Sequence, residues 1–279
     1  MEKELQLRKK KKRQFPAHLS LVIWLLGLVV VWEALATFIE VSGQFRSPQN
    51  YLPHLYLVIK SVFTVKVSDE LGVVMVFRAA GVTLSRAFIG FSIGIIAGFL
   101  LALLMDLSGI VEKIAFPYLM LIQMIPILGM APIIYAITEN VDQSRIIIAA
   151  ILTFYPISTN TLAGFKAVER EKKDLMQLCV ANKFQVYWKT KIPAALPYFF
   201  TGLKISAPLA ITAAILVDTL QGGNSLGCLL SQSLKGGMSR YIFWQIVFVS
   251  AIIGVGSGLI MGLIEKICCP YRFSKKKRK

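Results

Sequence analysis

The chain alternates long apolar runs with short polar breaks. Runs at about 19–38, 84–105, 111–137, 145–165, 196–220 and 243–264 each reach the length of roughly 20 residues that carries a helix across a hydrocarbon core. Unbroken apolar runs of this length predict membrane-spanning helices and not strands. The expectation is an all-α integral membrane protein with about six transmembrane helices. The first run follows a basic cluster, Arg8 to Arg13. It is too long for the apolar core of a signal peptide and more spans follow, so it reads as an uncleaved first helix.

Finer patterning predicts what each span does. Residues 42–80 are mixed, with turns at Pro48 and Pro53. From Leu55 to Phe77, Lys60, Lys66, Asp69 and Glu70 interrupt the apolar positions, which predicts one or two short helices at the outer surface. In the second span Gly90, Gly94 and Gly98 repeat every four residues, a stripe that lets another helix approach closely. Gly254, Gly258 and Gly262 form a second such stripe. The third span carries Pro117, Pro126 and Pro132 and should kink where protein or water can satisfy the freed carbonyls. The fourth holds a polar patch from Tyr155 to Thr161, which hydroxyl bonds to the helix's own carbonyls would explain. In the fifth, Lys204 should snorkel to lipid phosphates, and Asp218 lies near the outer end. Residues 221–239, rich in glycine, predict a flexible outer connection.

Composition sharpens this picture. Of 279 residues 56% are hydrophobic and only 16% charged, against about 25% charged in a soluble domain. The net charge of +16 would suit nucleic acid, but the basic residues cluster beside apolar runs, the pattern of cytoplasmic loops. By that rule both termini and the loops at 106–113 and 166–192 are cytoplasmic. The organisation expected is a basic cytoplasmic tail at 1–18, a transmembrane domain at 19–265 and a second basic tail at 266–279. Cys179, Cys228, Cys268 and Cys269 show neither metal spacing nor a disulfide framework, and His18 and His54 stand at unrelated positions. No metal site is expected. No paired carboxylates or Ser/His/Asp set lies at membrane depth, so no catalytic residues and no enzyme are expected.

One polar, basic segment is too patterned to be slack: Asp174 to Pro197. Leu175, Leu178 and Cys179 share one face of a short helix, with Asp174, Gln177 and Ala181 off that face. Pro193 suits the first turn of the next helix. A short amphipathic helix held outside the membrane is suited to a groove on a soluble partner.

Thr153 to Ser158, Asn160 to Gly164 and the Asp174–Pro197 segment together resemble the permease subunits of binding-protein-dependent ABC importers, in particular the nitrate, sulfonate, taurine and vitamin-precursor type. In that family the cytoplasmic loop carries Glu-Ala-Ala, a glycine four residues after the second alanine, and a later Ile/Leu-Pro. Here Asp174-Leu175-Met176, Val180 and Ile192-Pro193 occupy those places. Leu175, Met176 and Val180 depart from the pattern, and valine lacks the backbone freedom of the glycine it replaces. Phe45-Arg46-Ser47-Pro48, the stretch Gln123 to Pro132, and Asp218 with Gly222, Gly223 and Leu226-Gly227 extend the likeness over about 45–265.

The resemblance implies a type I importer fold and a pore-forming subunit in the bacterial cytoplasmic membrane, moving a small solute with energy from a partner ATPase. It implies a second permease subunit, identical or different, and an outer substrate-binding protein. Asp174, Leu175, Leu178, Cys179, Val180 and Ala181 would couple to the ATPase. Gln123, Met124, Tyr155, Asn160 and Asp218 would line the pore. The chain has no phosphate loop, so no cofactor is expected in it and ATP would bind the partner. The departures at Leu175, Met176 and Val180 would suit pairing with a different permease subunit. The alternative is an ion-gradient-driven secondary transporter, which would show midplane charges and an internal repeat; neither is evident.

Overall fold

The computed structural model describes residues 17–42, 51–67 and 70–270. The basic tail clusters, the Phe45–Pro48 stretch and Asp69 lie outside the described residues. Two compact units divide the chain, Met1–Val65 and Lys66–Lys279.

In the first unit, α1 (Ala17–Val41) and α2 (Leu55–Thr64) meet at the polar end of α1. Glu33 Oε2 lies 2.6 Å from His54 Nδ1, and Glu40 Oε2 lies 3.0 Å from His54 Nε2. Leu55 N–H donates to Glu33 Oε1 at 2.8 Å, and Trp32 Nε1 donates to the Pro53 carbonyl at 3.0 Å. The two glutamates hold the His54 pKa above its ordinary value, Glu33 the more strongly.

The second unit opens with a two-residue antiparallel pair, β1 (Lys66–Val67) and β2 (Glu70–Leu71). Then come α3 (Gly72–Leu107), α4 (Gly109–Met124), α5 (Ile127–Thr138) and α6 (Val141–Lys166). They are followed by α7 (Arg170–Leu178), α8 (Lys183–Val186), a π-helical turn (Tyr187–Lys191), α9 (Ile192–Gln221), α10 (Leu226–Leu234) and α11 (Arg240–Cys268). Among the described residues five helices are long and apolar enough to cross a membrane, or six if α4 and α5 count as one broken span.

Small residues set the helix packing. A Cβ on Gly90 would lie 2.6 Å from the Ala149 Cβ, one on Gly94 2.0 Å from Thr153 Oγ1, and one on Gly98 2.8 Å from the Phe154 carbonyl. The predicted stripe is therefore the α3–α6 contact. Gly164 and Gly202 admit α9 to α6 just as closely: added Cβ atoms would stand 2.7 Å from Ala195 Cα and 2.9 Å from the Pro156 carbonyl. Ser206 on α9 also donates to the Thr153 carbonyl at 3.0 Å. Phe91, Ile157, Phe200, Leu203 and Ile211 fill the space between these helices. The polar patch of α6 behaves as expected: Ser158, Thr159, Asn160 and Thr161 all donate to carbonyls one turn back.

Four expectations are corrected. The third span is broken, not merely kinked: α4 and α5 meet at 108°. Ile125, preceding Pro126, is extended at φ −74°, ψ 124°, because the proline ring excludes the helical conformation there. Pro117 and Pro132 stay inside their helices. The outer connection at 221–239 contains α10, whose Gly227 presses so tightly on α9 that a Cβ would fall 2.0 Å from the Ile215 carbonyl. The second glycine stripe is open within the chain: nothing stands within 4 Å of a Cβ on Gly254, and only Lys204 lies near Gly258 and Gly262. Lys204 does not snorkel; its Nζ pairs with Glu265, which is buried on α11, since a partner at depth removes the need to reach water.

Candidate functional site

Helices α6 and α9 run past each other in opposite directions, so the helical unit has two ends. At one, the chain leaves α6, forms α7 and α8, and returns through the π-helical turn into α9. At the other, α6 begins, α9 stops and α10 starts.

The first end holds the predicted docking segment. No residue of α7 is buried. Leu178 is 81% exposed and Leu175 also faces out, so the apolar face seen in the sequence is uncovered among the described residues. The helix stops in a defined way. Ala181 N–H bonds the Met176 carbonyl at 3.0 Å and Val180 N–H bonds the Gln177 carbonyl at 2.9 Å, the paired bonds of a Schellman ending. The residue at its left-handed position is Val180, with φ +51°. Glycine is usual there, and a β-branched residue stands out. The turn thus closes in spite of the valine, which is 89% exposed. Asn182 then caps α8: its Oδ1 accepts from Gln185 N–H at 2.8 Å, and its own N–H donates to Gln185 Oε1 at 3.1 Å. A capped stop and a capped start, two residues apart, fix how α7 is presented. Asp174 and Cys179 are exposed, and Ala181 is half-buried.

The base of this segment is tied to the spans. Tyr187 Oη donates to Asp106 at the end of α3, and Lys191 Nζ reaches the same carboxylate at 2.7 Å. Lys166 pairs with Glu112, joining α6 to α4. Pro193 has no N–H to give, and the wider π turn before it accommodates that loss.

At the second end lies a buried ion cluster. Asp218, from α9, is fully buried. Its Oδ1 lies 2.6 Å from Arg145 Nε and 3.9 Å from Arg86 Nη1; its Oδ2 accepts from Thr83 Oγ1 at 3.0 Å. The Nε–Oδ1 approach is an ion pair whose N–H is not aimed along it. Arg145 also reaches Asp142 at 3.0 Å and the Gly222 carbonyl at 2.6 Å; Arg86 reaches the same Asp142 at 2.9 Å. Thr83 Oγ1 accepts from Leu226 N–H at 3.1 Å, at the start of α10. Two arginines and two aspartates thus join α3, α6 and α9, and Thr83 ties in α10. The expectation of Asp218 in a pore wall is corrected: its carboxylate faces arginine inside the subunit and reaches no surface. Thr83, Arg86, Asp142 and Arg145 were not singled out from the sequence; only the rarity of arginine beside apolar runs could have flagged them.

The remaining pore candidates are scattered. Gln123 and Met124 are exposed where α4 ends, at the break before Pro126. Tyr155 and Asn160 are half-buried on α6, and the Asn160 amide is engaged with the Pro156 carbonyl at 2.7 Å.

Comparison with known proteins agrees with this geometry. The family described as "Binding-protein-dependent transport system inner membrane component" matches residues 90–267. The formylaminopyrimidine transport permease protein ThiX of Halalkalibacterium halodurans is 30% identical, over 94% of this chain and 98% of its own length. The nitrate import permease protein NrtB of Synechocystis is 25% identical, over 87% of this chain and 86% of its own. Among solved structures, an amino acid ABC transporter superposes with a TM-score of 0.59 at 17% identity, covering 69% of this chain and 93% of that one. The inward-facing MetNI methionine ABC transporter gives 0.55 at 16%, covering 77% and 97%. Nothing in these matches favours a gradient-driven secondary transporter. With broken α4–α5, crossing α6 and α9, and the presented α7, the chain has the all-α fold of type I importer permeases, and it belongs to the family of inner-membrane permease components of binding-protein-dependent ABC transport systems.

Proposed function

We propose that α7 is the element through which a partner ATPase drives this permease. The observation that carries the reading is an amphipathic helix with no buried residue, held at a fixed angle by the Val180 turn and the Asn182 cap. Leu175 and Leu178 enter a groove on the ATPase, and Asp174, Cys179, Val180 and Ala181 border the contact. ATP is bound by that partner and not by this chain. A movement of α7 passes through α8 and the π turn into α9, and through the Asp106–Tyr187–Lys191 contact into α3. The docking energy differs between the two pore states, as it must if ATP is to bias them.

The excess of lysine and arginine in the loops supports a reading with α7, both termini and both tails in the cytoplasm of a bacterial cell and the ion cluster toward the outer face. A second permease subunit completes the pore, a role for which Gln123, Met124, Tyr155 and Asn160 remain the candidates. An outer binding protein delivers a small solute; the 30% identity to a formylaminopyrimidine permease makes heterocyclic vitamin precursors the first cargo to try. Pull-down of tagged permease in mild detergent tests the reading. The ATPase subunit should come down with the parent chain and be lost with Leu178→Asp. Recovery with both, or with neither, overturns it.

A further inference from the structure

Beside the docking helix, the wall of the bundle carries a cleft whose polar limb shares Asp106, Tyr187 and Lys191 with the proposed coupling path and whose apolar limb has no assigned role. Its apolar limb, of 340 Å³, lies between Leu103 and Leu107 on α3 and Phe184, Trp188 and Ile192 on the returning segment. That volume falls within the range of about 300–1,000 Å³ typical of ligand clefts. A polar limb of 270 Å³ adjoins it, lined by Asp106, Ala181 and Lys191 among others. Lys183 and Tyr187 border both limbs.

Phe184 and Trp188 stack in parallel, with ring centroids 6.2 Å apart and planes 7° apart. They are 72% and 64% exposed. Exposed aromatic pairs at the end of spanning helices sit at headgroup depth. Asp106 is already taken by Lys191 and Tyr187, whereas Lys183 forms no ion pair among the described residues, and neither does Lys189 on the same segment. An apolar slot that continues the last turn of a spanning helix, with an uncompensated ammonium at its mouth, is complementary to an acyl chain ending in a phosphate.

The geometry points to a site for an anionic phospholipid. One acyl chain lies in the Leu103–Phe184–Trp188 slot and the phosphate meets Lys183. The lipid rests against the segment that joins α7 to α9, and it does so whether or not α7 binds an ATPase.

The test is native mass spectrometry of the full chain in detergent with equal amounts of phosphatidylglycerol and phosphatidylcholine. Phosphatidylglycerol should be retained in preference. Lys183→Gln should lower that preference about fivefold, the effect of one basic residue near an anionic headgroup. Trp188→Ala should reduce retention of both lipids, Trp188→Phe should restore it, and Lys113→Gln, an exposed lysine of α4 near the same end, should change nothing. Equal retention of the two lipids, or an unchanged preference in Lys183→Gln, overturns the proposal. So does loss of a co-purifying ATPase from Lys183→Gln or Trp188→Ala while lipid preference persists, which would make this surface a protein contact. Leu178→Asp should leave lipid retention intact, and this separates failure of the lipid site from failure of the docking helix.

Discussion

The two ends of the helical unit solve opposite problems. At the Asp218 end, charge is taken out of water and compensated within the chain. At the α7 end, apolar surface is left in water and nothing among the described residues covers it. Desolvated charges are expensive unless paired, so the buried Asp218 and Arg145 need each other, with the less buried Arg86 and the exposed Asp142 completing the set. Their pairing joins α3, α6 and α9, and Thr83 adds α10. An exposed leucine costs little by itself, but a capped helix presenting two of them on one face, with no fold-level reason to do so, is a surface kept for something else. One end holds the subunit together; the other, on the reading proposed above, is the one an ATPase would push.

The contrast breaks most visibly if the buried cluster is opened. Asp218→Ala removes the buried partner of Arg145, leaves it only the exposed Asp142 and the Gly222 carbonyl, and should cost about 3 kcal/mol, read as a large fall in melting temperature of the detergent-solubilised chain. Leu178→Asp, at the other end, should leave that temperature unchanged. Equal destabilisation by both would erase the distinction. Next in size is packing: Gly94→Val drives a side chain into Thr153 and should cost about 1–3 kcal/mol by the same assay, whereas Gly254→Val on open α11 should be near neutral in the isolated chain.

At the α7 end the largest stability effect should have the opposite sign. Val180→Gly relieves a left-handed β-branched residue and should stabilise the turn by about 1 kcal/mol, after allowing for glycine's freedom in the unfolded chain. Slower amide exchange at residues 179–182 would show it; faster exchange would mean that the valine is accommodated without strain. The smallest effect lies in the first unit. The native pKa of His54 is raised, so its contribution is fully present below the unfolded value of about 6.5 and is lost as pH climbs through the native value. Trp32, bonded to the Pro53 carbonyl, should report this as a fluorescence transition above that pH that is absent in His54→Gln.

Much of this was legible in the sequence where the signal is local. The apolar runs became helices, the Gly90–Gly98 stripe became the α3–α6 contact, and the Leu175/Leu178 face was recovered as an exposed face. What was not legible depends on separation along the chain. Thr83 meets Asp218 across 135 positions and Arg145 meets Gly222 across 77, distances over which no periodicity speaks. Lys204 reads as a snorkelling residue until Glu265, 61 positions away, is placed beside it. Three prolines in the third run announce distortion, but which one breaks the helix depends on whether neighbours can satisfy the carbonyls each ring strands, and only Pro126 sits at the break. At Val180 the sequence argues against a tight turn; the Schellman bonds and the Asn182 cap outweigh the valine's preference.

The most direct test of the division between the two ends uses a cysteine already in place. Cys179 is exposed at the end of α7, Cys228 and Cys269 are buried, and Cys268 is the other exposed thiol. In a Cys268→Ser background, a photo-crosslinker on Cys179 should trap the ATPase subunit in membranes from the native cell, and the yield should change when ATP hydrolysis is arrested with vanadate. A crosslink only to lipid or to the permease itself, with no ATPase adduct in either condition, would contradict the account.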